Sequence, residues 1–180
     1  DHYAVRFVLD GQIHQAQGER CTTTVLDHLR EKLHRTGTKE GCAEGDCGAC
    51  TVLVSKADGA GYAATNSCIL SLGQIEGRSI VTVEGLSENS VHPVQAAMAE
   101  NGSSQCGFCT PGIVVSLAGL LAENTQPTEE EIHDALAGNL CRCTGYEPIV
   151  EAAKAVAKGA LVELPYLESE LPRSSATDSS

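Results

Sequence analysis

Hydrophobic and polar positions alternate as in a β-strand near the start of this chain and repeat with a helical period in its second half. The alternation over residues 3–9, followed by the turn-forming pair Asp10-Gly11, predicts a β-hairpin. Apolar runs bounded by turn residues predict three further strands, at residues 51–54, 62–64 and 79–83. One amphipathic helix is predicted to start after Thr24 and to end at Gly37. A sheet that wraps over a single helix indicates a β-grasp arrangement.

Four short helices are predicted from about Gly85 onward. A proline or a capping box marks the start of each, at Pro93, Thr110-Pro111, Thr128–Glu131 and Pro148. Brief loops between four short helices indicate an antiparallel bundle. The predicted fold class is therefore α+β, with a β-grasp domain over residues 1–84 and a four-helix bundle over residues 85–164. The polar, serine-rich residues 165–180 are predicted to form a flexible tail or linker.

The charge and the start of the chain argue against several classes of protein. The sequence has 24 acidic and 12 basic residues, and its net charge of −12 argues against binding to nucleic acid or anionic membranes, since both need basic surface. No stretch approaches the ~20 apolar residues of a membrane span, and the first residues show no signal peptide. We therefore expect a cytoplasmic chain whose cysteines stay reduced and free to bind metal.

The nine cysteines of the chain are the strongest indication of its chemistry. Cys42, Cys47 and Cys50 have the spacing C-x4-C-x2-C, and Cys68 follows at a distance. Plant-type ferredoxins hold a 2Fe–2S cluster with this spacing. Zinc ribbons usually present paired C-x2-C units instead. These four residues, named here the first cysteine group, therefore predict a 2Fe–2S centre.

A second cysteine group lies in the predicted helical half. It comprises Cys106 and Cys109, spaced C-x2-C, and Cys141 and Cys143, spaced C-x-C. Cys141 and Cys143 cannot easily bridge each other, so ligation to one centre is the simpler interpretation. Spacing alone leaves both a 2Fe–2S cluster and a zinc ion open for this group. One metal centre in each half would stabilise domains of roughly 80 residues, which gain little from their cores alone.

Three stretches around these cysteines resemble one protein family. They are residues 37–51 (GTKEGCAEGDCGACT), 105–112 (QCGFCTPG) and 138–146 (GNLCRCTGY). Together they are similar to the iron–sulfur subunit of the molybdenum hydroxylases, the xanthine dehydrogenase and aldehyde oxidase family. The resemblance covers residues 1 to about 164, and residues 33–41 look most similar to bacterial xanthine dehydrogenase small subunits.

The resemblance implies an α+β chain in which a plant-type ferredoxin-like β-grasp domain precedes a helical-bundle domain. It implies a 2Fe–2S cluster on each cysteine group, and contact between Gln105 and a pterin. The implied partners are a large molybdenum–pterin subunit and either an FAD-binding subunit or a downstream FAD domain, in a hetero-oligomer. Such a chain relays single electrons from the molybdenum–pterin centre to FAD. It contributes no catalytic acid, base or nucleophile of its own.

Other functions remain open at this point. Within the family, the same electron-transfer role in an aldehyde or N-heterocycle oxidoreductase, for example of nicotine type, is the alternative to xanthine dehydrogenase. A free-standing ferredoxin-like carrier and a zinc-stabilised interaction module are alternatives of other classes. The ninth cysteine, Cys21, is expected to be a small buried residue near the start of a helix.

Overall fold

The computed structural model of the protein describes residues 4–87, 90–159, 162 and 164. In the first half, five strands form one mixed sheet in the order β2-β1-β5-β3-β4. The strands are β1 (Val5–Leu9), β2 (Gln12–Ala16), β3 (Thr51–Ser55), β4 (Tyr62–Asn66) and β5 (Ser79–Val81). β1 and β5 run parallel, and the other neighbouring pairs are antiparallel. The predicted strands are thereby confirmed, although β5 ends two residues earlier than expected.

The buried carboxylate of Asp10 explains why β5 ends early. It accepts hydrogen bonds from the backbone N–H and the hydroxyl of Thr82, both at 2.7 Å, which turns the chain away from the sheet. The Arg35 guanidinium pairs with the same carboxylate. Burial raises the pKa of Asp10, and the bonds from Thr82 and Arg35 offset part of that rise. The β1–β2 turn, the end of β5 and the segment after the first helix are thus tied together.

The first helix is shorter than predicted. Helix α1 (Val25–Asp27) starts at Thr24, whose hydroxyl accepts the N–H of Asp27 at 3.0 Å. It continues as a π-helical turn over His28–Lys32. His34 has the left-handed φ of 54°, a conformation that commonly closes a helix. The helix therefore ends well before Gly37, the residue that the sequence pattern predicted would stop it.

The described residues of the second half contain four α-helices, as predicted. They are α2 (Pro93–Glu100), α3 (Thr110–Glu123), α4 (Glu129–Leu136) and α5 (Glu147–Gly159). Helix α2 packs against α3 and α5, and α4 packs against the same two helices. The expected capping box of α4 is present, because the Thr128 hydroxyl accepts the N–H of Glu131 at 3.2 Å and the Glu131 carboxylate accepts the N–H of Thr128 at 2.7 Å.

Two large apolar cores hold the described part of the chain together. One lies between the sheet and α1 and includes Phe7, Leu29 and Ile80. The other lies among the four helices and also includes Leu53, Tyr62 and Val81 from the sheet. Helix α3 therefore packs on β3, and the two cysteine groups lie on elements that share a core. Within the described ranges, no helix has the length and apolarity needed to cross a membrane.

Candidate metal centres

The first cysteine group is built around a tight loop that precedes β3. The Cys42 sulfur accepts the backbone N–H groups of Glu44 at 3.5 Å and of Asp46 and Cys47 at 3.3 Å. These three donors lower the pKa of Cys42 to about 6. The thiolate is the metal-binding form of cysteine. The loop therefore favours the protonation state in which Cys42 can act as a ligand.

The four thiols of this group lie close enough to affect one another. The Cys47 side chain helps to lower the pKa of Cys42, and Cys50 and Cys42 both act to raise the pKa of Cys68. Burial, followed by the neighbouring Cys50, raises the pKa of Cys68 to about 12, while the Gly45 N–H donates to its sulfur at 3.2 Å. A buried thiol beside other thiols resists ionisation without a cation. A metal centre would supply that positive charge.

The glycine at position 41 makes room for a sulfur. A Cβ added at Gly41 would lie 2.7 Å from the Cys47 sulfur, a distance that real Cβ contacts do not show. Gly45 has a φ of +82°, which only glycine adopts readily, and its backbone faces the Ile69 side chain. The loop thus wraps closely around the thiols and turns its N–H groups towards them.

The thiols of the second cysteine group are also close neighbours, because Cys106 and Cys141 each act on the pKa of both Cys109 and Cys143. Burial and then Cys141 raise the pKa of Cys109 to about 12, and Cys106 raises the pKa of Cys143. Burial also acts to raise the pKa of Cys141, but hydrogen bonds from the side chain and backbone of Thr144, together with those from Cys143 and Cys109, outweigh it and lower that pKa. The Thr144 hydroxyl lies 3.1 Å from the Cys141 sulfur.

Two separate segments hold these thiols. Cys109 caps the N-terminal end of α3, and Cys106 lies in the loop before it. Cys141 and Cys143 lie in the loop between α4 and α5. The Tyr146 hydroxyl closes this loop, because it accepts the Cys141 N–H at 2.7 Å and donates to the carbonyl oxygen of Asn139 at 3.0 Å. The turn also relies on a left-handed φ of 71° at Tyr146.

Each group supplies the four thiols that a 2Fe–2S cluster takes as ligands. A structural zinc ion also takes four ligands, so the donor set alone fits either metal.

A main-chain contact connects the two cysteine groups. The N–H of Leu140 donates to the carbonyl oxygen of Cys47 at 2.9 Å. Cys47 belongs to the first group, and Leu140 directly precedes Cys141 of the second. Beside this contact, the Asn139 side chain donates to the carbonyl oxygen of Gly48 at 3.1 Å. Sequence reasoning named neither Asn139 nor Leu140, although both lie inside the motif at 138–146.

The remaining candidate residues lie at the surface. Gln105 is exposed beside the exposed Cys106, and its contact with a pterin stays a prediction. Cys21 is exposed, contrary to the expectation that it is buried. It lies in the turn before α1, where its carbonyl oxygen accepts the Gly73 N–H at 2.9 Å and its side chain is left outside the core.

Comparison with known proteins agrees with two iron–sulfur domains. Residues 7–72 match the family described as a 2Fe–2S iron–sulfur cluster binding domain, and residues 82–154 match a second family described as a [2Fe–2S] binding domain. Each range contains one cysteine group. The chain is 52% identical over 143 residues to xanthine dehydrogenase from Blastobotrys adeninivorans, covering 76% of this chain and 10% of that protein.

Solved structures extend the comparison to a protein of similar length. A chain of quinoline 2-oxidoreductase from Pseudomonas putida 86 is 38% identical, with a TM-score of 0.78 over 87% of this chain and 94% of that one. Aldehyde oxidoreductase from Desulfovibrio gigas is 34% identical, with a TM-score of 0.79 over 86% of this chain and 17% of that one. The chain therefore belongs to the molybdenum hydroxylase family, as an iron–sulfur component with two 2Fe–2S binding domains. It spans only 10% of the length of curated relatives such as Arabidopsis thaliana xanthine dehydrogenase 1.

Proposed function

We propose that this chain is the electron-transfer subunit of a xanthine dehydrogenase-type hydroxylase, relaying single electrons from a molybdenum–pterin centre to FAD. In this proposal Cys42, Cys47, Cys50 and Cys68 hold one 2Fe–2S cluster, and Cys106, Cys109, Cys141 and Cys143 hold the other. The observation that carries it is the contact between the groups, where the Leu140 N–H donates to the Cys47 carbonyl oxygen. Two cysteine groups whose loops are in direct hydrogen-bonded contact are suited to exchanging electrons.

When bound, a 2Fe–2S cluster changes its charge by one electron and supplies the redox chemistry that no protein side chain here provides. The contribution of the chain is to stabilise anionic sulfur. Backbone N–H groups in the first loop already converge on the Cys42 and Cys68 sulfurs. Such donors also tune reduction potential, because they favour the more negative state. No residue of this chain is assigned a catalytic role.

The orientation of the relay is part of the proposal. Cys106 and Cys143 are both exposed, with Gln105 beside them, so the second group has an open side where a molybdenum–pterin subunit can approach. Gln105 would contact the pterin there. The first group would face the flavin, carried by a separate subunit or by a downstream domain. The assembly proposed is a hetero-oligomer in the cytoplasm.

Contacts within the sheet and among the helices support the finer fold assignments of this proposal. The sheet order and the single helix against it support a ferredoxin-like β-grasp domain over residues 1–84. The contacts among α2, α3, α4 and α5 support a four-helix bundle over residues 85–164. The predicted tail at 165–180 lies outside the described residues.

A second candidate is the same relay in an N-heterocycle oxidoreductase. The quinoline 2-oxidoreductase chain matches over 94% of its own length, so this chain corresponds to nearly all of it. Purification of the native complex, followed by assays with a purine, a quinoline and an aldehyde, separates these substrate classes. Recovery of the chain alone, with no large molybdenum-containing partner, would instead support a free-standing carrier.

The cluster assignment predicts which cysteines are needed for which centre. Reductive titration of the chain, followed by electron paramagnetic resonance, should show two distinct signals. Cys42→Ser should abolish one signal and Cys143→Ser the other, since each removes one of four ligands from a single centre. Cys21→Ser is the matched control, because Cys21 is exposed and lies outside both groups. Loss of both signals in either ligand variant, a single signal in the fully iron-loaded chain, or bound zinc without iron would contradict the proposal.

A further inference from the structure

The side chain of Asn139 links three segments of the chain at the junction between the cysteine groups. It is 4% exposed. Its amide nitrogen donates to the Gly48 carbonyl oxygen at 3.1 Å and to the Thr51 hydroxyl at 3.2 Å. Its amide oxygen accepts the Ser116 hydroxyl at 2.7 Å. One carboxamide therefore bonds to the first cysteine loop, to the start of β3 and to helix α3.

The backbones at this junction are too close for any side chain to lie between them. A Cβ at Gly48 would lie 2.2 Å from the Gly138 carbonyl oxygen, and a Cβ at Gly112 would lie 2.1 Å from the Gly48 carbonyl oxygen. The first cysteine loop is thus in direct main-chain contact with the turn after α4 and with the first turn of α3. These two segments carry the ligands of the second group.

The main chain of Asn139 is held as firmly as its side chain. Its carbonyl oxygen accepts the Tyr146 hydroxyl at 3.0 Å, and Tyr146 in turn accepts the N–H of Cys141 at 2.7 Å. The next residue, Leu140, donates its N–H to the Cys47 carbonyl oxygen at 2.9 Å. Asn139 is therefore anchored to the second cysteine loop through its backbone and to the first through its side chain.

We propose that Asn139 is a positioning residue that sets the separation of the two centres and the strength of their electronic coupling. This inference rests on the proposed function. If the two loops moved apart, the buried amide nitrogen of Asn139 would lose its hydrogen bonds to Gly48 and Thr51, which is unfavourable away from water. The Leu140–Cys47 hydrogen bond would break at the same time. The carboxamide thereby confines the loops to one spacing.

The test compares the magnetic interaction of the two reduced centres in the full-length chain. Both centres are paramagnetic when reduced, and their dipolar splitting falls with the cube of the distance between them. Asn139→Asp keeps the side-chain shape and can still accept from Ser116, but it cannot donate to Gly48 and directs a negative charge at that carbonyl oxygen. We expect both signals to remain and the splitting to be reduced or lost. Asn124→Asp, the same change at the C-terminal end of α3, should keep the splitting of the unmodified chain.

A second readout does not depend on the clusters interacting. Hydrogen exchange at the Leu140 amide should speed up in Asn139→Asp and stay slow in Asn124→Asp, because only the first change frees the bond to Cys47. Ser116→Ala, which removes one anchor of the amide and is a mild change, should shift both readouts in the same direction by a smaller amount. Ser116→Ala therefore tests the positioning role of Asn139 if Asn139→Asp does not fold.

The outcomes for the two proposals are distinct. Unchanged splitting in Asn139→Asp and in Ser116→Ala, with both signals at full intensity, overturns the positioning role of Asn139 and leaves the proposed function intact. Two signals without any splitting in the unmodified chain also overturn the positioning role. Absence of one or both signals in the unmodified, iron-loaded chain contradicts the two-centre function itself.

Discussion

Gly48 shows how a single residue controls the approach of the two cysteine loops. Its φ is +72°, and its Cα faces the Gly138 carbonyl oxygen. Gly59 has nearly the same φ, +76°, but a Cβ added there would meet nothing within 4 Å. Both positions therefore need a left-handed backbone conformation, and they differ in whether other atoms lie close to the Cα.

Alanine substitutions at Gly48 and Gly59 separate the cost of steric clash from the cost of backbone strain. Gly59→Ala should lower the free energy of unfolding by about 1–2 kcal/mol, the usual cost of a left-handed alanine. Gly48→Ala should lower the free energy of unfolding by clearly more, because the added Cβ would clash with a backbone oxygen that cannot rotate away. Chemical denaturation of both variants measures the difference. Equal losses would show that the junction can open without penalty, contrary to the close packing described here.

At the scale of elements, a chain of polar side chains holds the β1–β2 hairpin against the first helix. The Nε2 atoms of His14 on β2 and His28 in the π-helical turn lie 2.9 Å apart. His28 Nδ1 lies 2.6 Å from a carboxylate oxygen of Glu19. The ring of Phe7 meets both imidazoles edge-on. Only one proton fits between the two Nε2 atoms, so this contact requires that at least one of the two imidazoles stay neutral.

The hairpin contact predicts a pH dependence of stability. Burial lowers the pKa of His14 below 6.5, and the charges of His28 and Arg35 act in the same direction, against Glu19. The folded state therefore binds fewer protons at His14 than the unfolded state does. Its contribution to stability is fully present above pH 6.5 and is lost as the pH falls through the lowered pKa.

Two variants isolate this contribution. His14→Gln removes the titrating group, so its free energy of unfolding should fall less steeply than that of the unmodified chain as the pH drops below 6.5. His133→Gln, a change of an exposed histidine on α4, should leave the steep fall in place. Denaturation curves recorded at several pH values provide the measurement. A His14→Gln profile parallel to that of the unmodified chain would assign the pH dependence to other groups.

These elements also show what could be predicted from the sequence. Helices α2, α3 and α4 carry their start signals in the chain itself, as prolines or a capping box, and those positions are confirmed. The π-helical turn after α1 has no comparable signal, and the predicted helix end at Gly37 was wrong. The role of Asn139 could not be seen either, because its partner Gly48 lies 91 positions away along the chain. A local sequence pattern predicts hydrogen bonds between residues that are close in the sequence. The junction between the cysteine groups depends instead on packing between segments that are distant in the sequence.

At the scale of the whole molecule, the apolar core of the helices extends into the sheet. Leu53 on β3 is completely buried, and it belongs to the apolar core formed by the helices. Gly119 on α3 allows this close packing, since a Cβ there would lie 2.8 Å from a methyl group of Leu53. The spacing of the two cysteine groups thus depends on the contact between α3 and β3 as well as on Asn139.

Because β3 shares an apolar core with the helices, we expect that a destabilising substitution in β3 will also destabilise the helices. Leu53→Ala should lower the free energy of unfolding by about 2–5 kcal/mol, as expected for a large-to-small change at a buried site. Hydrogen exchange should then accelerate in α3 as well as in β3. Ile13→Ala, on a side chain that is 65% exposed, is the control and should change stability by no more than about 0.5 kcal/mol. If exchange in α3 stayed at its original rate in Leu53→Ala, the two halves would be energetically independent, and the fixed spacing between the cysteine groups would have to come from the loops alone.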